Sequence, residues 1–371
     1  MNFFYSLFFF FRHVFLKRHY DIIFYSPHHF NRGDKGQNLY FKRLIEVCNQ
    51  KNISFVFFEE PYKNSNYKRS KSAVPFDFIY YFTVFLRKLF PNSLSDIEID
   101  RKIGKCIKFL FFSNISFNNF ITISQSMLSV FYAINKNAKL FDLQHGTIHA
   151  NKDTYLVNGY VYDNLKKNDV YLLLNGIGFK NILVQNENNR YFEKHSQVIG
   201  SIMPKIDFQR NRKNKNVLVS LQFTNDHSNA ENQNIADALL YQIKQNNDFS
   251  FFLRQHPRFN NEVDMSVFTS MPNVSTIDGK LEDNFRICSI HLTTYSTVVF
   301  EAALLGIPSS FLIIDNCKMN IFNSQYDYPL FSYNLRKIYE YYNECSFKSK
   351  QWVKSYYETF SEDKYLKVLK K

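Results

Sequence analysis

The chain has 371 residues, 45% of them hydrophobic, which is too long for one compact domain and apolar enough for two cores. The formal net charge is +13, but the basic residues are scattered, with no zinc-finger spacing, RNP-like aromatic sequence or basic arm; nucleic acid is therefore not the expected partner. Five cysteines (Cys48, Cys106, Cys288, Cys317 and Cys345) are widely spaced, odd in number and lack a CxxC pair, which argues against a disulfide framework or zinc site and for a reduced, cytoplasmic protein.

The chain opens on an apolar run, residues 3–11, followed by Arg12, Lys17 and Arg18. The run falls far short of the ~20 residues that span a bilayer. It has no basic region before it and no small-residue cleavage site after it, so it does not read as a signal peptide. Two readings stand side by side: a helix lying in an anionic membrane surface, or a helix packed on the first domain.

From residue 21 onward, short apolar runs alternate with longer mixed segments. Residues 21–26 read as a buried strand, 27–36 as a loop, 37–50 as a helix and 53–58 as the next strand, a βαβ start that implies a parallel sheet. A basic loop at 63–72 and a helical stretch over 75–119 lead to a strand at 120–124. A helix over 125–136 and a strand over 138–143 come next. Further strands are expected at 170–174, 181–184 and 197–200. The polar, basic segment 205–215 reads as a linker between residues 1–204 and 216–371. A second βα series then starts, with strands at 216–221, 249–254, 274–277, 289–294 and 310–314, a helix over 230–246 and a helical tail over 338–369. The expected fold is α/β, with two Rossmann-like domains facing a central cleft. In open parallel sheets, ligands sit beyond the carboxyl ends of the strands.

Three polar stretches fall at such ends. Asp142-Leu143-Gln144-His145-Gly146-Thr147 delivers a histidine that can take a proton from an attacking hydroxyl, with Asp142 upstream, unless it is simply a structural histidine in a turn. In Arg254-Gln255-His256-Pro257-Arg258 the proline forces His256 out of helical geometry, and two arginines add charge suited to a phosphorylated leaving group. In Thr294-Tyr295-Ser296-Thr297 hydroxyls gather before an apolar helix. Ser296 and Thr297 can cap it, and Glu301, one turn in, can accept ribose hydroxyls or serve only as a cap. Gly306-Ile307-Pro308 should end that helix. The loop after the first strand, with Gly33 and Gly36, together with Gly146 and Thr147, offers candidate acceptor contacts. No Asp-x-Asp, HExxH or GxSxG sequence occurs, which disfavours a metal-dependent or serine-hydrolase mechanism.

Taken in order, Gln144-His145-Gly146-Thr147, Arg254-Gln255-His256-Pro257 and the run from Thr294 to Pro308 resemble the GT-B-fold glycosyltransferases of bacterial surface-polysaccharide synthesis. They are also similar to the teichoic-acid polyol-phosphate transferases. The resemblance covers mainly residues 140–150 and 216–315. It implies His145 as acceptor-side base, His256 with Arg254 at the donor phosphate, and Ser296, Thr297 and Glu301 along the donor nucleotide. The phosphotransferases usually carry an aspartate where this chain has Thr294. The resemblance thus implies transfer of a sugar from a nucleotide-activated donor to a lipid-linked or oligosaccharide acceptor, with no cofactor beyond the donor, at the cytoplasmic face of the inner membrane. A CDP-polyol phosphotransferase and a non-catalytic nucleotide-binding protein are the alternatives.

Overall fold

The computed structural model describes residues 2–31, 36–61, 69–91, 93–150, 154–202, 213–314 and 320–370. Met1–Met203 together with Tyr357–Lys371 form one compact unit, and Pro204–Tyr356 form a second. The expected linker lies outside the described residues except for 213–215, as do Gly33 and Cys317.

The first unit contains β1 (Arg18–Ser26), β2 (Phe55–Glu59), β3 (Val74–Pro75), β4 (Ile115–Ile123), β5 (Lys139–Leu143), a small hairpin of β6 (Leu156–Val157) and β7 (Tyr160–Val161), β8 (Val170–Leu174) and β9 (Ser196–Val198). Seven of these form one sheet in the order β3-β2-β1-β4-β5-β8-β9, and every neighbouring pair is parallel. The strands are short β-branched and aromatic runs buried on both faces, as a helix-covered parallel sheet requires. Along β1, Ile22 and Phe24 enter one core with Phe41, Leu44, Val47 and Phe57. Ile23 and Tyr25, alternating with them, point to the other face. That face is filled by aromatic rings: Phe120 stacks on Phe131 at 4.0 Å, and Phe10 lies 5.4–5.6 Å from Phe58, Phe76 and Phe112. Much of the unusual phenylalanine content is therefore core.

The second unit has β10 (Asn216–Ser220), β11 (Ser250–Arg254), β12 (Val274–Thr276), β13 (Ile290–Thr293) and β14 (Ser309–Phe311), all parallel, in the order β12-β11-β10-β13-β14. Its longest helix, Asn229–Gln245, starts at a capping box in which Ser228 and Glu231 satisfy each other's backbone N–H. The helix Ser95 caps in the first unit, Asp96–Phe111, has the same device with Glu98.

The structure departs from the sequence reading in several places. Residues 181–184 are not a strand but lie inside the helix Ile177–Asn186, whose Phe179, Ile182 and Leu183 are buried at helical spacing. Strand β4 begins at Ile115, inside the stretch expected to be helical. The hairpin β6–β7 was not expected. The chain's end does not belong with the second unit: the helix Glu362–Lys370 buries Tyr365 and Val368 in the first unit's core. It is held by Ser201 N–H to Glu358 O at 2.8 Å and Ser361 N–H to Ile199 O at 2.9 Å. Apolar periodicity marks such a helix as amphipathic but cannot say which core receives it.

Candidate functional site

Each sheet has the strand order in which the chain reverses direction next to its first strand. That switch point lies between β1 and β4 in the first unit and between β10 and β13 in the second. Loops leaving the carboxyl ends of those strands cannot both turn the same way, so a crevice opens between them.

In the first unit the turn after β4 is unusual. Ser124, Gln125 and Met127 all have left-handed backbones, with φ of 58°, 56° and 59°. Such angles cost non-glycine residues energy and persist where surrounding groups enforce them. Asp142, 1% exposed on β5, supplies that enforcement: it accepts the Gln125 N–H at 2.8 Å and lies 3.5 Å from the Tyr155 hydroxyl. This geometry makes Asp142 a brace for the turn. The turn brings the Ser124 hydroxyl within 3.2 Å of His145 Nε2. The Tyr40 hydroxyl donates to the His145 carbonyl at 3.0 Å, and Phe30 packs edge-on against the imidazole at 5.2 Å. Gln144 fixes the strand end, donating to the Gly146 carbonyl at 2.8 Å and accepting the Asn175 N–H at 2.9 Å. Thr147 follows in the same loop, half-buried, and Gly36 has φ +79° in the loop after β1.

Beside this turn is a cavity of about 280 Å³ whose lining includes Glu60, Tyr80, Arg87, Gln125, Ser126 and Asn164. Burial raises the Glu60 carboxyl to about 7. Arg87 is held bidentately by Asp100 at 2.7 and 2.8 Å. Next to it, fully buried Glu59 joins the loops after β1 and β2, accepting from Asn31 Nδ2 at 2.6 Å and pairing with Arg69 at 3.3 Å. Neither glutamate stood out in the sequence. Their only signal was two acids ending an apolar strand.

In the second unit three loops converge. The loop after β10 supplies Asp226 and His227, which the sequence reading passed over. Asp226 pairs with Arg258 from the loop after β11, and His227 hydrogen-bonds the hydroxyl of Tyr295 from the loop after β13. The charge of Arg258 is thus offset locally. Arg254 is engaged too, donating to the Gly279 carbonyl at 2.9 Å and to Asn284 at 2.6 Å. Only Arg258 has its charge offset by an acid; the partners of Arg254 are neutral and leave its charge in place. Burial and the nearby Arg258 lower the pKa of His256. Its Nδ1 accepts the Arg258 backbone N–H at 3.1 Å. Because a backbone N–H only donates, the neutral ring carries its proton on Nε2, which is then a hydrogen-bond donor.

The helix after β13 is Val298–Leu304. Ser296 Oγ accepts the Val298 N–H at 3.3 Å, but Thr297, at the N-cap, has a helical backbone and no side-chain cap bond; the expected cap is Ser296 alone. The helix ends as expected: Gly306 has φ +74°, and Ile307 N–H reaches back to Ala302 O at 2.8 Å. Thr294 is 1% exposed, and neither its Oγ1 nor Glu301 Oε2 has a hydrogen-bond partner among the described residues. Burial raises the Glu301 carboxyl to about 7. A buried hydroxyl oxygen and a buried carboxyl oxygen without a hydrogen-bond partner are uncommon, and they mark Thr294 and Glu301 as positions an outside group could reach. Among the described residues no cluster of three or more His, Cys, Asp or Glu is placed to hold a metal.

Two parallel sheets of Rossmann order, each with its polar residues at the carboxyl edge, define the GT-B class of fold. No family model matches the sequence, and no curated protein matches it. Solved structures do. A putative UDP-N-acetylglucosamine 2-epimerase from Listeria monocytogenes aligns at TM-score 0.54 and 10% identity, over 95% of this chain and 96% of that one. TarM aligns at 0.54 and 8%, over 95% and 99%. UDP-GlcNAc 2-epimerase from Neisseria meningitidis, solved bound to UDP-GlcNAc, aligns at 0.51 and 12%, over 94% and 100%. At these identities the likeness establishes the fold.

Proposed function

We propose that the protein is a glycosyltransferase that moves a sugar from a nucleotide-activated donor to a lipid-linked or oligosaccharide acceptor of surface-polysaccharide synthesis. The observation that carries this reading is the second unit's carboxyl edge, where Thr294 Oγ1 and Glu301 Oε2 are buried without a hydrogen-bond partner among the described residues and where Asp226 and His227 tie in the loops that carry Arg258 and Tyr295. In this reading Glu301 accepts the ribose hydroxyls. Thr294 and Ser296 hydrogen-bond the phosphates, and the Nε2–H of His256 donates to the leaving diphosphate as negative charge develops on it. Arg254 and Arg258 shape the two loops and supply charge that Asn284 and Asp226 hold in place.

In the first unit His145 takes the proton of the acceptor hydroxyl, with Ser124 fixing its ring and Asp142 fixing the turn that carries Ser124. The cavity lined by Glu60, Tyr80, Gln125 and Asn164 has the carboxyl, phenol and amide groups that recognise sugar hydroxyls. Gly146 and Thr147 are acceptor contacts of the same edge. The Neisseria meningitidis structure carries UDP-GlcNAc, so uridine nucleotides lead the donors to try.

The test is a nucleotide panel by thermal shift, followed by turnover with matching donors. A nucleotide at ~100 times its Kd is expected to stabilise the protein by ~2.7 kcal/mol. Glu301→Gln should abolish that shift for a ribonucleotide. His145→Ala should lower turnover ~10²–10⁴-fold while leaving nucleotide binding intact. A phosphodiester product would replace this reading with the phosphotransferase one, and epimerised donor formed without acceptor would replace it with an epimerase. Nucleotide binding without turnover of any donor would leave a binding protein, and no binding at all would overturn the donor site.

A further inference from the structure

The helix Asn2–Phe15 is apolar on both sides. Ser6, Phe10 and His13 are buried against the first unit, whereas Phe4, Phe8, Phe11 and Phe15 are 71%, 66%, 51% and 82% exposed. Positions 4, 8, 11 and 15 follow one stripe of a 3.6-residue helix, so the exposed rings form a single face. The helix therefore packs on the first unit through one side and leaves an aromatic face outward on the other.

That face does not end with the helix. Phe11 lies 6.4 Å from Phe78, on the helix Asp77–Arg87, and Phe78 is 6.3 Å from Phe82 on the same stripe. One turn further along that stripe is Phe85, 58% exposed, and in the turn just past the helix is Leu89, 64% exposed. A soluble surface seldom leaves so many large rings together in water. The exposed charge along the first helix is basic, and beyond it Asp100 pairs with Arg87 at the end of the second helix. Arg12, Lys17, Arg18 and Lys88 are exposed at its margins, and the first 20 residues contain no Asp or Glu. Among the described residues no helix is long and apolar enough to cross a membrane.

We infer that this two-helix aromatic face docks the protein onto an anionic lipid bilayer, with the rings at the level of the acyl–headgroup boundary and the four basic side chains among the headgroups. Aromatic rings favour that boundary, and anionic headgroups meet the basic margin with opposite charge. A second copy of the chain placed against the same face would instead set like charges together.

The inference stands apart from the nucleotide-sugar reading, because vesicle binding needs neither donor nor acceptor. Co-sedimentation of the full chain with vesicles of phosphatidylglycerol and phosphatidylcholine in equal parts tests it. Binding is expected to these vesicles, to weaken in high salt, and to be nearly absent with phosphatidylcholine alone. Arg12→Gln and Lys17→Gln should each lower the partition coefficient roughly fivefold. Phe85→Gln, on the second helix and solvent-exposed, should weaken binding with an unchanged melting curve, as should Phe8→Gln with Phe15→Gln. Failure of the wild-type chain to sediment with anionic vesicles would overturn the inference. So would equal binding to both vesicle types, or a dimer in sedimentation velocity that Phe8→Gln dissolves.

Discussion

His145 and His291 lie at different depths of parallel sheets, and their surroundings differ accordingly. His145 lies just past the end of its strand, half-buried, with a serine hydroxyl at its ring. His291 is mid-strand and fully buried, bridging Ser309 and Ser220 at 2.9 Å on either side. Burial lowers its pKa from 6.5 to about 3. The folded state therefore excludes a proton that the unfolded chain takes up below about 6.5. Stability is accordingly lost as pH falls from there toward 3, at about 1.4 kcal/mol per pH unit. His291→Gln should cost stability at neutral pH yet flatten the decline between pH 6.5 and 5, read from urea midpoints. Glu59, Glu60 and Glu301, each raised to about 7, act in the other direction, equally in wild type and variant, so the difference isolates His291. A variant with the same slope as wild type would mean the buried imidazole is not held neutral. The sequence shows a histidine in an apolar run, but only the neighbouring strands supply its two serines.

At the scale of elements, strand ends were legible and the turns beyond them were not. His145, His256 and Thr294 follow β5, β11 and β13 as read from the sequence, because a buried strand announces itself by a short apolar run. The left-handed turn at Ser124–Gln125 carries no glycine or asparagine to announce it; it exists because Asp142, on another strand, accepts its N–H. Gly200 marks a second such place. It has φ +90°, and a Cβ there would run into the Thr359 carbonyl of the returning C-terminal segment. Gly200→Ala should lower stability by about 1–3 kcal/mol, through backbone strain and the clash together. An unchanged urea midpoint would mean that the segment is not seated there.

At the scale of the molecule, the last fifteen residues complete the first unit although the second intervenes in sequence. Ending the chain after Tyr356 would remove Tyr365, fully buried, and Val368 from that core. At ~1.5–3 kcal/mol for each large apolar side chain, the first unit should lose several kcal/mol and become sensitive to limited proteolysis, with the second unit's melting unchanged. Equal protease resistance with and without the segment would refute this closure. The α/β class, the first and second βα series, the glycine end of the helix after β13 and the polar strand ends were determined by the sequence alone. They rest on periodicity and capping, which act between residues a few positions apart. The brace on the Ser124 turn, the Nδ1 acceptor role of His256, the buried Glu301 Oε2 and the return of the tail to the first core were decided only by tertiary structure. Each depends on which distant segment arrives beside it, and burial, which sets these charges and contacts, is a property of the packed chain.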